Sequence, residues 1–151
     1  MAFHLAKSRV LARYYATPKR NVAYFSDAIK KQAYAFRQAA EYGLALSLIG
    51  TEQYEPALDL IEGLLATAPD NLFYLDTYTD IAIAMDQHQK AIDKLSSQIV
   101  HAPHNQVLTL NLANTLIEND QYAPAISLLK DYLLVKPDTM LAYELLAEAY
   151  R

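Results

Sequence analysis

Residues able to do chemistry are few in this sequence, and their spacing argues against catalysis. The closest histidine pair is His101 and His104, in "HAPH". A hydrolytic zinc site needs two histidines one helical turn apart and a glutamate to activate water. These two instead flank Pro103, with no third ligand nearby in sequence, so they read as turn residues. His4 and His88 are single and read as packing or surface residues. Asp76 and Asp80 are four apart and would share one helix face. A carboxylate pair doing acid–base work would also need burial and a pocket; the competing reading is an acidic stripe on a groove wall. Cysteine is absent, which removes disulfides, thiolate ligands and thiol nucleophiles together. Gly43, Gly50 and Gly63 are scattered, so no loop can cradle a phosphate. No serine sits in a nucleophile elbow. The expectation is a chain with no catalytic, metal-binding or cofactor-binding residue of its own.

The informative pattern is repetition. "QYEPALDLIEGLLATAPD" begins at Gln53, "QHQKAIDKLSSQIVHAPH" at Gln87 and "QYAPAISLLKDYLLVKPD" at Gln121. Gln53/Gln87/Gln121, Ala57/Ala91/Ala125 and Pro69/Pro103/Pro137 are identical in all three, at a period of 34 without a slip. A fixed period of this size signals a stacked repeat architecture.

Apolar residues recur three and four apart in each half of each repeat, so each repeat predicts two amphipathic helices. The expected spans are 38–50 and 55–66, 72–85 and 89–100, then 107–119 and 123–135. Each invariant alanine is small where the second helix (B) crosses the first (A). Tyr54 and Tyr122 stand at the A–B turn, with His88 in the equivalent place. Pro56 and Pro124 fall in the first turn of helix B, where a missing N–H costs nothing. Pro69, Pro103 and Pro137 stop helix B. Asp70-Asn71, His104-Asn105 and Asp138-Thr139 follow as turn and cap residues. After the third proline, "MLAYELLAEAYR" puts Tyr143, Leu146, Ala147 and Tyr150 in register as helix A of a fourth repeat. The expectation is that its helix B lies beyond this sequence, or that the last helix serves as a cap.

The period and the Leu44-Ala45, Leu48 and Leu112-Ala113, Leu116 pairs resemble the tetratricopeptide repeat (TPR). That resemblance implies an all-α fold, a TPR α-solenoid: a right-handed superhelix of antiparallel helix pairs. The expected organisation is an N-terminal helical hairpin over 1–37, a degenerate zeroth repeat, followed by TPR 1 (38–71), TPR 2 (72–105), TPR 3 (106–139) and the first helix of a fourth (140–151). In the zeroth unit Ala23 aligns with Ala57, "FHLAKSRVLARYY" reads as one helix, and a second starts at Thr17-Pro18 with a break near Ser26-Asp27.

Composition agrees with a packed helical chain. It is 53% hydrophobic with only three glycines, which excludes disorder and an all-β reading. No apolar run reaches the ~18 residues needed to span a bilayer. Residues 1–37 hold eight Lys/Arg and one acid; residues 38–151 hold five and sixteen. The acidic part makes nucleic acid an unsuitable partner, because phosphate contacts need a basic face.

In stacked TPR pairs the A helices line a concave groove. The candidate partner-binding walls are Tyr42 and Leu46; Phe73, Asp76, Asp80 and Ile83; Val107, Leu110, Asn111 and Asn114; and Glu144. Some TPR proteins clamp a C-terminal carboxylate with basic side chains. The corresponding positions here hold Tyr42, Val107 and Asn111, so that mode is expected to be absent. An apolar groove with amides suits an extended or helical protein segment, with Asn111 and Asn114 bonding its backbone.

Four phrases carry a closer resemblance: "FHLAKSRVLARYY", "RQAAEYGLAL", "PDNLFYLDTYTDI" and "QVLTLNLANTL". They resemble the C-terminal repeat region of BepA-type periplasmic zinc metallopeptidases. The resemblance implies an upstream HExxH peptidase domain that would carry zinc, a periplasmic location, and a role in the assembly or degradation of outer-membrane β-barrel proteins. It implies three partners: those client proteins, their assembly machinery and the parent's own peptidase domain. No "HE" dipeptide occurs in this chain, so no zinc or catalytic residue carries over. The alternative is a free-standing TPR adaptor in envelope biogenesis or secretion.

Overall fold

The computed structural model describes residues 18–31 and 34–151. Among the described residues there are eight helices and no strand. They are α1 (Pro18–Lys31), α2 (Tyr34–Gly50), α3 (Tyr54–Thr67), α4 (Leu72–Ala84), α5 (His88–Ile99), α6 (Gln106–Glu118), α7 (Tyr122–Val135) and α8 (Met140–Tyr150). From α3 onward each helix begins and ends within a residue or so of the span its periodicity predicts. Two differences lie near the start. Helix α1 runs unbroken through Ser26-Asp27, because neither residue removes a backbone donor and each costs only a fraction of a kcal/mol in a helix. Helix α2 begins at Tyr34, ahead of the expected Gln38. The helix expected over "FHLAKSRVLARYY" lies outside the described residues.

The helix ends follow from local chemistry. The Asn71 side chain accepts from the Phe73 and Tyr74 amides at 3.0 and 3.1 Å, capping α4. Asn105 does the same for Leu108 at 3.1 Å, capping α6. Both satisfy amides that the first helical turn leaves without partners. Thr139 makes no such cap; its hydroxyl lies 3.2 Å from the Lys136 carbonyl and 3.4 Å from the Tyr132 hydroxyl. Each A–B turn passes through one left-handed residue: Glu52 (φ 59°), Asp86 (φ 58°) and Asp120 (φ 61°). The Gln53 and Gln121 amides then reach back to the Leu48 and Leu116 carbonyls at 2.8 Å, closing the ends of α2 and α6. These three positions are 34 apart, so the backbone repeats with the sequence. None is glycine, and each carries a left-handed penalty of roughly 1 kcal/mol.

The described chain divides into two compact units, one ending at Met85 and one spanning Asp86–Arg151. In the first, α1 packs on α2, α2 on α3 and α3 on α4. Its interior includes Ala45, Leu48, Ala57, Ile61, Leu64 and Leu75, and Ala45 and Ala57 are wholly inaccessible. In the second, α5 packs on α6, α6 on α7, and α8 on both α6 and α7. There Leu110, Ala113, Leu129, Tyr132, Ala142 and Leu145 form one apolar cluster. Ala57, Ala91 and Ala125 are all fully buried. Ala23, which aligns with them one period earlier, is exposed. What seats α1 is a different contact. A Cβ at Gly43 would fall 2.5 Å from the Cε1 and Cζ atoms of the Phe25 ring. The missing side chain at Gly43 is therefore what lets α1 lie against α2.

That contact makes two glycines behave oppositely. Gly63→Ala, on α3 with nothing within 4 Å of the new Cβ, should stabilise the chain by about 0.5–1 kcal/mol through helix propensity. Gly43→Ala has the same propensity gain but drives its methyl into Phe25, at an overpacking cost of about 1–3 kcal/mol; a net loss of about 1 kcal/mol is expected. Urea denaturation of the two variants checks this, and equal stabilisation by both would remove the Phe25–Gly43 contact from the account.

Candidate protein-binding faces

A period of 34 sorts the candidate wall residues into columns, and burial differs by column. In one column Leu46, Asp80 and Asn114 are all buried, with exposures of 3%, 3% and 5%. The column containing Phe73 and Val107 is exposed, Phe73 at 71%. The column of Tyr42, Asp76, Leu110 and Glu144 is mixed: Tyr42 and Asp76 are half-buried, Leu110 is buried and Glu144 is exposed. Ile83 and Asn111 are half-buried.

This corrects part of the sequence reading. Leu46 and Leu110 belong to the packed interior, Leu110 within the second unit's apolar cluster. Both sit on the edge of their helix's apolar stripe, and a neighbouring helix covers that edge. Asn114 is likewise buried, which leaves Asn111 as the more accessible amide of α6. Asp76 and Asp80 share a face of α4 as expected, but Asp80 lies inside and Asp76 at the margin.

In the first unit, the face is organised around a short hydrogen-bond chain. The Thr77 hydroxyl donates to the Phe73 carbonyl at 2.9 Å. Its proton is thereby committed, so the Tyr42 phenol, 3.0 Å away, donates to the Thr77 oxygen. The same phenol lies 3.5 Å from the Phe73 carbonyl. The Tyr42 and Tyr74 rings meet with centroids 5.1 Å apart at a 55° tilt. One side chain of α2 is thus bonded and packed to the first turn of α4, and Phe73 projects into solvent beside it. Gln38 adds a side-chain bond from α2 to Thr67 of α3, at 3.4 Å. Sequence reasoning singled out neither Thr77 nor Tyr74. Thr77 was findable, since it stands one turn after Phe73 on the same helix face.

In the second unit, exposed Val107 and half-buried Asn111 of α6 and exposed Glu144 of α8 belong to the A helices. Several apolar side chains of this unit stand in solvent, among them Met140 and Tyr143. An open depression of about 520 Å³ at the α7–α8 turn is lined by Val135, Lys136, Pro137, Asp138, Thr139 and Met140, together with Gln106 and Leu141. It gathers no set of groups suited to bond-making.

The groups with chemical potential stay apart. His101 and His104 are exposed in the α5–α6 turn. Among the described residues no group of three or more His, Asp or Glu side chains is arranged to hold a metal ion. His88 approaches the Asp86 carboxylate at 3.5 Å, an ion pair only when the imidazole is protonated. The Tyr54 phenol is pushed up by burial and then by the charge of Glu52. The Tyr122 phenol donates to Asp120 at 2.9 Å, and that bond, with the Asp120 charge, raises it as well. Both phenols therefore stay neutral at physiological pH.

Comparison with known proteins agrees with this geometry. Residues 82–149 match the family model described as tetratricopeptide repeat. The chain is 35% identical over 81 residues to the beta-barrel assembly-enhancing protease of Yersinia pestis, covering 54% of this chain and 17% of that protein. It is 33% identical over 84 residues to the protein of the same name from Escherichia coli strain K12, covering 56% and 17%. It therefore spans about a sixth of the length of these curated relatives. A tetratricopeptide repeat protein from Parabacteroides merdae superposes with a TM-score of 0.75 at 14% identity, over 96% of this chain and 59% of that one. The fold is the all-α fold of tetratricopeptide repeat proteins, which binds protein or peptide partners and is typically non-catalytic. Among the described residues no helix is long and apolar enough to cross a membrane.

The burial columns predict how charge is tolerated. Phe73→Glu and Val107→Glu should fold within about 0.5 kcal/mol of the parent chain, as surface substitutions do. Leu46→Glu and Leu110→Glu should each lose about 3 kcal/mol or more by placing a carboxylate in the interior. Thermal and urea unfolding of the four variants distinguishes the columns; a stable, fully folded Leu110→Glu chain would mean that α6 is packed the other way round.

Proposed function

We propose that this chain is the partner-holding segment of a periplasmic zinc-dependent protease that works on outer-membrane β-barrel proteins during their assembly. The observation that carries the binding part is Phe73, a large aromatic standing 71% exposed on an A helix beside the bonded Tyr42–Thr77 pair. Buried aromatics dominate protein interfaces, and one held out on a rigid helix loses little entropy on binding. The two beta-barrel assembly-enhancing proteases support the choice of partner and of compartment. Unfolded β-barrel segments are extended, alternate apolar with polar side chains, and have free backbone donors and acceptors. Apolar residues such as Phe73 and Val107 would take the former, and Asn111 the latter. The assembly machinery and the protein's own peptidase domain are further partners on this reading.

The described residues do not fit a zinc site, because His101 and His104 are exposed on one turn and no group of three or more His, Asp or Glu side chains gathers among them. Zinc belongs, on this proposal, to a peptidase domain outside residues 1–151. The role of the repeats is to hold a client and present it.

The test uses the natural full-length gene product. Stoichiometric zinc, chelator-sensitive cleavage of an unfolded β-barrel protein, and at least about tenfold weaker client capture by Phe73→Glu with zinc unchanged are expected. Absence of both zinc and cleavage would remove the protease and leave an adaptor without linked catalysis. Normal capture by Phe73→Glu would remove the face from the binding role.

A further inference from the structure

We infer that the edge of the second unit formed by the α5–α6 and α7–α8 turns rests on a phospholipid bilayer, with Val100, Leu134, Val135 and Met140 entering the boundary between headgroups and acyl chains. This contact is separate from the holding of protein segments and does not depend on it.

Its basis is where this unit leaves its apolar side chains. Among its described residues, the three large apolar side chains most open to solvent are Leu134 at 83%, Val100 at 75% and Met140 at 71%. Val135 is exposed beside Leu134. Val100 follows the last residue of α5, Leu134 and Val135 end α7, and Met140 begins α8. The α5–α6 turn leads directly to Gln106, and Gln106 lines the same depression as Val135 and Met140. All four side chains therefore lie at one edge of the unit. Single exposed apolar residues are ordinary, whereas a group gathered at one edge marks a protein or membrane contact.

Stacking of the repeats does not account for the exposure. Val100 stands open although α6, α7 and α8 all follow it in the same unit. Ala66, one period earlier, is exposed as well, so the repeat makes no use of this column for packing. Tyr143 and Tyr150 differ. They are exposed where Thr109 and Leu116, one period earlier, are buried, which marks a packing face.

The chemistry of the edge favours lipid over protein. Protein hot spots are enriched in tryptophan, tyrosine and arginine, with leucine and valine under-represented. Residues 100–105 and 134–140 contain no tryptophan, tyrosine or arginine, and their exposed bulk is aliphatic or thioether. Charge is divided to match. Of the eight acids in Asp86–Arg151, four stand at the opposite edge. Glu118, Asp120 and Glu148 line one depression there. The Gln121 side chain donates to Gln89 at 3.3 Å, which ties that edge to the start of α5, just after Asp86. The two apolar turns hold one acid, Asp138, against one lysine, Lys136. Anionic headgroups therefore meet little net charge at the apolar edge and repel the acidic one, which orients the unit.

Flotation of the intact chain with vesicles of phosphatidylethanolamine and phosphatidylglycerol tests this. Binding is expected, and it should persist at about 0.5 M salt, because apolar insertion is not screened. Val100→Ser/Leu134→Ser/Met140→Ser should bind the vesicles at least about tenfold more weakly. Its circular dichroism should match the parent's, since all three positions are exposed. Phe73→Ser should bind the vesicles as the parent does. The chain has no cysteine, so a polarity-sensitive fluorophore can be attached at one chosen position. A label on Leu134→Cys should shift to the blue on vesicles. A label on Ala123→Cys, exposed next to Tyr122 at the opposite edge, should not. No flotation would overturn the inference. So would flotation that salt abolishes, that the triple variant leaves unchanged, or that shifts the Ala123 label instead. Loss of unfolded β-barrel capture by the triple variant, with no vesicle binding by the parent, would make this edge a protein-docking surface and refute the lipid assignment.

Discussion

Two helices can approach only as closely as the side chains at their crossing allow. In this chain that constraint is met by alanine, and the rest of the architecture follows from it. Ala57, Ala91 and Ala125 are inaccessible, and so are Ala45 and Ala113 on the A helices α2 and α6. Small residues on both helices let the backbones come close, and the larger apolar residues on either side, such as Ile61 and Leu129, then fill the interior. A helix pair of this size cannot cover its own apolar surface, so the pattern recurs and neighbours cover each other. The period, the turns and the caps are consequences of needing the same crossing again.

Close crossing on one side of an A helix frees another side for partners. The face of α4 that carries Phe73 is not consumed by packing, yet it is not loose. The bonds from Tyr42 through Thr77 to the Phe73 carbonyl fix the first turn of α4, and the Asn71 cap fixes it from the other end. An exposed aromatic on such a turn is presented rather than merely left over. No comparable assembly of acid, base and nucleophile exists among the described residues.

Much of this was legible in the sequence because the chain contains its own comparisons. Three copies at a constant spacing showed which positions the fold requires: the crossing alanines, the terminating prolines, and the Asn71 and Asn105 caps. What was not legible depends on contacts between elements without a repeated signature. Gly43 looked like a stray helix glycine, and only the Phe25 ring lying against it gives it a reason. The left-handed residues were hidden because Glu52, Asp86 and Asp120 stand where glycine would have announced the turn. Leu46 and Leu110 were misjudged as wall residues because a side chain on the edge of an apolar stripe is buried or exposed according to how its neighbour crosses. Their burial columns become obvious only when residues 34 apart are viewed on the folded helices.

The central claim is that A-helix faces hold protein segments. Chemical-shift mapping of the isotope-labelled chain during titration with an unfolded β-barrel protein tests it most directly. The account predicts that the largest changes fall on Tyr42, Phe73, Tyr74 and Thr77 in the first unit and on Val107 and Asn111 in the second. Changes confined to the exposed residues of α3, α5 and α7, with those positions unmoved, would contradict it.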